Sequence, residues 1–346
     1  MTHKPTSFDI AQRAGVSQPT VSRALRGHPS VSEATRKRIE AIAAQLNYAV
    51  DHNASRLRSR TTRTLALLFF EDPTPDDSLI NPFFLSMLGS IARACARHGY
   101  DLLTSFQQLS RNWHVDYEDS HKADGIMLLG YGDYEDYRDK LALLEREGTH
   151  YVRWGAVNAE QPGSTIGCDN RLGGELAARH LIDRGYRRIA FLGDTSSGAP
   201  EMAERYRGAC DAMAAHHLVS DPALCVSAAT NEASGYAAAR ALLARKVDFD
   251  AVFAACDLIA VGALRAFEEA GLSIPHDLGL IGFDDIPIAG LMHPPLTTVA
   301  QDYAQAGTML VETLLAKIKG EPAPATMLTP RLVVRQSTQA AVTVLD

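Results

Sequence analysis

From Thr64 to Phe283 short apolar runs alternate with amphipathic stretches, and that alternation leaves few folds open. The runs cover residues 65–70, 100–104, 125–129 and 151–152, then 189–193, 251–254 and 278–283. Between them apolar positions recur at three- and four-residue spacing, which predicts helices over 82–98, 134–147, 172–184, 201–216, 233–244 and 258–270. Strands and helices that alternate in this way build an α/β fold, a parallel sheet with helices on both faces. The runs fall into two sets, so two wound subdomains with parallel sheets are expected. A cleft at their strand ends is the usual place for a ligand. Residues 107–124 are too few for a crossover with a full helix, so a truncated one is expected there. A last strand is expected over 328–335.

The first sixty residues have a different character. They carry ten Lys/Arg against four Asp/Glu, a net +6 that leaves −13 on the remainder of a chain whose total is −7. A basic head on an acidic body is drawn to a polyanion while the body is repelled from it. Composition excludes disorder, with 46% hydrophobic and 22% charged residues. No run of eighteen apolar residues and no secretory leader is present, so a cytoplasmic protein without a membrane span is expected. The five cysteines contain no C-x-x-C pair, which argues against a disulfide framework or a zinc site. No metal and no cofactor are expected.

Within the head, Ser7 is placed to cap a short helix whose Ile10, Ala11 and Ala14 share a face, and Gly15 ends it. Ser17 can cap a second helix, from Gln18 to about Arg26, with Val21, Ala24 and Leu25 inward and Pro19 in the first turn. A third follows cap Ser32, with Ile39, Ile42, Ala43 and Leu46 on one stripe. This is helix-turn-helix spacing, in which the second helix enters the major groove of DNA. Its outward residues Gln18, Pro19, Ser22 and Arg23 then face base edges: Gln suits adenine, Arg suits guanine, and Pro offers apolar contact to a thymine methyl. Ser7, Ser17, Thr20 and the helix-start amides suit phosphates, and Arg26 adds to the same surface. A three-helix interaction module with a solvated basic face is the alternative.

Asp9-Ile10-Ala11, Ala14-Gly15-Val16-Ser17, Thr20-Val21-Ser22-Arg23, Val31-Ser32, Thr35-Arg36 and Leu46-Asn47-Tyr48 together closely resemble the headpiece of the LacI/GalR family of bacterial transcription repressors. The resemblance implies a DNA-binding headpiece over 1–50 that includes Tyr48, and a hinge and linker over 51–63. It also implies that Asn53 to about Arg58 orders on operator DNA, with Leu57 levered into the minor groove. A solvated linker is the other reading of that segment. Val50 and Asp51 depart from the family's usual Pro and Asn, and Asp51 places a negative charge close to phosphate.

Residues 64–346 in turn resemble the periplasmic-binding-protein-like effector domain of the same family. Asn81-Pro82-Phe83-Phe84 matches its opening loop, whose aromatics stack on a sugar ring. Arg205-x-x-Gly208 matches the motif whose arginine clamps ligand oxygens, and Gly282-Phe283-Asp284-Asp285 the turn whose first Asp accepts from hydroxyls. Pro295-Leu296-Thr297-Thr298-Val299 with Gln301-Asp302 places Gln301 near the ligand, and Cys168-Asp169-Asn170 with Gly173 matches a crossover. Cys256-Asp257 stands where Asn-Asp is common. Arg153-Trp154-Gly155 stands near a frequent Asp-Arg pair, with Trp154 offered to stack on a saccharide. Each has a plainer alternative: Phe83, Phe84 and Trp154 as core, Arg205 as a surface arginine, Asp284 as a turn cap.

The resemblance thus implies a homodimeric repressor of near-palindromic operator DNA, gated by a mono- or oligosaccharide. An enzyme on the same body is disfavoured because no G-x-G-x-x-G, P-loop, G-x-S-x-G or metal-spaced His/Glu motif occurs, and an exported transport protein would need a leader. No leucine heptad follows the last strand, so a dimer rather than a tetramer is expected.

Overall fold

The computed structural model describes residues 5–25, 27–46, 48, 61–70, 80–109, 111–130, 134–157 and 163–339. The contacts divide the chain into two units, Met1–Thr62 and Arg63–Asp346. Arg26, Val50, Asp51, Asn53 and Leu57 lie outside the described residues, and with them nearly all of the expected hinge.

In the first unit α1 spans Ser7–Ala14, α2 Gln18–Leu25 and α3 Glu33–Gln45. The cap of α1 is Thr6 rather than Ser7. Thr6 accepts from the Asp9 amide and the Asp9 carboxylate accepts from the Thr6 amide at 2.7 Å, a reciprocal capping box. Gly15 at φ +63° closes the helix in the left-handed conformation that glycine adopts without strain. Ser32 caps α3 as expected. Ile10, Ala11, Ala14, Val21, Ala24, Val31, Ile39 and Ala43 form one small core. Each large aliphatic there contributes roughly 1.5–3 kcal/mol by leaving water.

The second unit holds two six-stranded sheets. In chain order its elements are β1 (Thr64–Phe69), α4 (Pro82–Arg97), β2 (Asp101–Phe106), β3 (Ile126–Leu129), α5 (Tyr134–Arg146), β4 (Tyr151–Trp154) and β5 (Ser164–Cys168). There follow α6 (Asn170–Asp183), β6 (Ile189–Leu192), α7 (Pro200–Ala215), β7 (Cys225–Val226), α8 (Glu232–Ala244), β8 (Ala251–Ala254), α9 (Asp257–Glu269) and β9 (Gly279–Asp284). The last elements are β10 (Thr297–Ala300), α10 (Tyr303–Ile318), β11 (Thr326–Leu328) and β12 (Arg331–Val333). The strand orders are β11-β5-β4-β3-β1-β2 and β12-β10-β9-β8-β6-β7, parallel except where β12 runs against β10. The central strands are buried on both faces, as their continuous apolar runs require.

The chain passes between the sheets three times: from β5 into α6, from β10 into α10, and from β11 into β12. The strand expected over 328–335 shortens to β12, and its first residue, Leu328, ends β11 in the other sheet. Thr329-Pro330 separates them, since proline has no amide to continue a ladder. The stretch 107–124 is truncated as expected, holding a short 3₁₀ turn (Gln107–Leu109) and a π-helical turn (His114–Asp119). Buried Gln107 compensates: its amide donates to the Leu68 and Leu129 carbonyls at 2.9 and 3.3 Å, fastening the ends of β1 and β3, while Trp113 and Tyr137 bond to it in turn.

Candidate nucleic-acid interface and ligand cleft

Val21 and Ala24 bury one face of α2, and the opposite face bears Gln18, Pro19, Ser22 and Arg23, of which Pro19 and Arg23 are exposed. Gln18 Nε2 donates to Ser7 Oγ at 3.2 Å, so α1 holds the side chain at the helix start. Ser17 and Thr20 share a hydroxyl–hydroxyl bond of 2.8 Å. Tyr48 packs against the small core. The alternation of buried and exposed faces leaves α2 free to present a polar edge with an arginine at its end.

In the second unit the expected ligand residues lie at the carboxyl ends of β4, β8, β9 and β10 and on α4 and α7, and three of the side chains converge. Arg205, on α7, donates from Nε to Asn170 Oδ1 at 2.9 Å and from Nη1 to the Ala255 carbonyl at 2.6 Å. Its Nη1 lies 3.5 Å from Asp284 Oδ1, and Gln301 Nε2 donates to that same oxygen at 2.7 Å. The guanidinium also lies 3.7 Å from the centroid of the Phe283 ring. Arg205, Asp284, Gln301 and Asn170 are each at most 6% exposed, so the plain surface-arginine alternative for Arg205 is excluded. Burial pushes the Asp284 carboxyl up to about 6, against the pull of Arg205 and the Gln301 bond.

The glycines of the motifs explain how Arg205 arrives there. A Cβ on Gly208 would lie 1.9 Å from the Arg171 carbonyl oxygen, and one on Gly174 1.9 Å from that of Arg205. Only bare backbones let α6 and α7 cross this closely, and the crossing sets Arg205 beside Asn170. A Cβ on Gly173 would lie 2.5 Å from the Phe283 ring, which is thus confined between Gly173 and the Arg205 guanidinium.

The aromatic residues form a second group. Phe83 lies 5.5 Å from Phe84 and 5.8 Å from Trp154 between ring centroids. Phe83 and Trp154 are buried in the main core while Phe84 is half-buried. Asn81 is the cap of α4, its Oδ1 taken by the Phe83 amide at 2.9 Å. Arg153 and Trp154 are consecutive in β4 and so emerge on opposite faces of the sheet, Trp154 toward Phe83 and Arg153 on the side of Tyr151. Arg153 is therefore not joined to the Trp154 group, although it is itself buried.

Cys256 and Asp257 follow β8, at the cap and first position of α9. Asp257 accepts from Thr298 Oγ1 at 2.6 Å and from the Ile286 amide at 2.9 Å, so both oxygens serve the protein's own frame. Burial, then the charge of Asp284, holds its carboxyl well above the usual range. Burial likewise pushes the Cys256 thiol up.

One residue was missed by sequence reading. Glu201, four residues before Arg205 on α7, accepts from the Ala156 amide at 2.9 Å. Ala156 follows β4 in the first sheet and Glu201 belongs to the second, so this bond spans the two subdomains. Burial raises its carboxyl, with Arg205 and the backbone bonds opposing. The i, i+4 spacing from Arg205 is the signal that would have found it.

Among the described residues no cluster of His, Cys, Asp and Glu fits a metal ion, and no helix is long and apolar enough to cross a membrane. Residues 8–51 match the profile of bacterial regulatory proteins of the lacI family, and residues 178–338 that of the periplasmic binding protein-like domain. The ribose operon repressor of Haemophilus influenzae is 32% identical over 342 residues, covering 96% of this chain and 98% of the relative. Among solved structures, a transcriptional regulator CelR–cellobiose complex is 31% identical with a TM-score of 0.72, covering 96% of this chain and 99% of that one. The lac repressor dimer bound to operator and the anti-inducer ONPF, at 24% identity, has a TM-score of 0.82 and covers 98% and 100%. It attests the fold alone.

Proposed function

Because this chain belongs to the LacI family of bacterial regulatory proteins, DNA-binding transcription regulators rather than enzymes, we propose that it is a cytoplasmic, homodimeric repressor whose hold on a near-palindromic operator is set by a small saccharide. The observation that carries the effector half is the convergence of Arg205, Asp284 and Gln301 at the carboxyl ends of the strands, close to two of the three passages between the sheets. A charged donor, a charged acceptor and an amide fixed in one place suit the hydroxyls of a sugar ring. Phe83, Phe84 and Trp154 supply the aromatic flank.

The mechanism follows from where these groups sit. Arg205 and Asp284 belong to the second subdomain, while Phe83 and Trp154 belong to the first. A ligand held by both groups stabilises one angle between the subdomains and disfavours others. Gln301 sits at the passage from β10 into α10, and Asn170 opens α6 after the passage from β5, so a rearrangement of the polar group acts directly on the connections that set this angle. On the DNA side, Gln18 and Arg23 read bases while Ser7, Ser17 and Thr20 hold backbone. Two heads on a two-fold dimer read two half-sites. The coupling is reciprocal: operator binding changes effector affinity by the factor by which effector changes operator affinity.

The experiment is a thermal-shift and operator-release titration with D-ribose and cellobiose on the wild type, Asp284→Asn and Arg205→Met. The wild type responds to one sugar and both variants lose that response, because each leaves a buried polar group without its partner. Variants that respond at wild-type sugar concentrations refute the site.

A further inference from the structure

We propose that Arg335, beyond the last strand, is the positioning residue of the effector cleft: it holds the Asp284–Asp285 turn in the shape that aims Asp284 at the ligand. This rests on the cleft being the effector site.

The turn is held against its own preference. Asp284 has φ +107° and Asp285 φ +56°, consecutive non-glycine residues in a region that side chains disfavour. Such conformations persist only where the surroundings over-determine them. Here the first residue of the turn is still in the ladder, Asp284 pairing with Ala300 of β10, and side chains hold the rest. Ile286, after the turn, donates its amide to Asp257, which fixes the downstream end. Gln301 and Arg205 contact the Asp284 side chain, and those are contacts a ligand would compete for or reinforce. The Asp285 side chain is held by Arg335, whose Nη2 lies 2.6 Å from Oδ1, with both side chains half-buried at 24% and 18% exposure. Arg331 lies at 4.0 Å from the other oxygen but is 73% exposed, so solvent screens it.

Arg335 is itself anchored. Its Nη1 donates to the Leu296 carbonyl at 2.9 Å, and its amide donates to Thr297 Oγ1 at 2.9 Å. The guanidinium therefore bridges the start of β10 to the turn that ends β9. It does so from a segment that follows β12, the strand that begins after the third passage between the sheets. The same arginine thus ties the ligand-facing turn to the start of β10 from the segment that follows β12.

A general packing role and a positioning role make different demands on residue 285, and this separates them. Asp285→Ala removes the pair but keeps the positive φ on a side chain that disfavours it. Asp285→Gly removes the pair and also the strain at residue 285, since glycine adopts φ near +60° freely. The test measures amide exchange at Ile286, relative to Val252 and Phe253 in β8, in Arg335→Met, Asp285→Ala, Asp285→Gly and the double variant Arg335→Met/Asp285→Gly. D-ribose and cellobiose titrations run alongside. The expected result is at least tenfold faster exchange at Ile286 for Arg335→Met and Asp285→Ala, wild-type exchange in β8, and recovery in both variants that carry glycine. Unchanged exchange at Ile286 in Arg335→Met overturns the proposal, as does Asp285→Gly behaving like Asp285→Ala. If exchange rises as expected while the sugar response stays at the wild-type level, Arg335 holds the turn but the turn is not the effector site. That outcome overturns the reading of the cleft and the positioning role toward the ligand with it.

Discussion

Replacing Gly208 with alanine should disable the cleft without touching any group that faces it. The added Cβ would sit 1.9 Å from the Arg171 carbonyl oxygen, with the Glu175 amide nitrogen 2.9 Å away. Carbon approaches a carbonyl oxygen to about 3.3 Å at closest ease, so α6 and α7 must separate by roughly 1.4 Å. Neither obstacle is a flexible side chain, and the whole crossing has to open. Arg205 rides on α7 one turn before Gly208, while its partner Asn170 begins α6, so the 2.9 Å bond between them stretches out of hydrogen-bond range. Overpacking of this kind costs about 1–3 kcal/mol, and the lost charge-assisted bond adds about 1.5–3 kcal/mol. A total of about 2.5–6 kcal/mol is a large part of an ordinary stability of about 5–15 kcal/mol. At about 2–4 °C per kcal/mol it lowers the thermal midpoint by roughly 10 °C. Urea unfolding and a sugar titration read both effects. Gly89→Ala is the control: its Cβ would meet only the tip of Arg93 at 3.9 Å, and within a helix it should be neutral or mildly stabilising. Were Gly208→Ala as stable as Gly89→Ala and fully responsive to sugar, the close crossing would not be what places Arg205.

Further outcomes concern pH and DNA. Sugar affinity should fall as pH drops through about 6, because hydroxyls donate to the Asp284 carboxylate and protonation removes that acceptor; Asp284→Asn should flatten the profile. The same group acts oppositely on stability. Its folded value lies above the ordinary 3.8, so the folded state binds the extra proton, and its contribution to stability grows as pH falls from about 6 toward 3.8. On the DNA side, Arg23→Ala should cost about 1–3 kcal/mol on operator and relax one base position per half-site, while Lys37→Ala, whose side chain is exposed and paired with Glu33, should change little. Equal losses for Arg23→Ala on operator and random DNA would reduce Arg23 to a phosphate contact.

Much of the fold was legible because burial writes itself into sequence period. Val21 and Ala24 opposite Gln18 and Arg23 define a face of α2, and unbroken apolar runs such as 251–254 mark strands buried on both sides. The cap of α1 was misplaced by one residue because Thr6 and Ser7 are both competent; the acid three residues after Thr6 distinguishes them. The strands β5 and β11 escaped period analysis because they are short and contain threonine, glycine or methionine in place of a run. Their place in the first sheet is a property of topology, which no local pattern encodes. The same limit applied to the cleft. Arg205 and Asp284 were readable as motif residues, but Asn170 as the partner of Arg205, Glu201 as the bond between the subdomains and Asp257 as a frame residue depend on which strand ends meet in space.

The three passages between the sheets impose an order in time. The first sheet begins at Thr64 and is not complete until β11 reaches residue 328, and the second is not complete until β12 reaches residue 333. Neither subdomain is a continuous stretch that can finish folding as it leaves the ribosome. The three-helix unit is the opposite case: its core runs from Ile10 to Ala43, all from neighbouring helices, and such local folds form fast. At about 5–20 residues per second, the roughly 290 residues between the end of one core and the end of the other take on the order of tens of seconds to synthesise. Each molecule therefore passes through a nascent stage in which the DNA-reading part is finished and the part that listens to the effector is not.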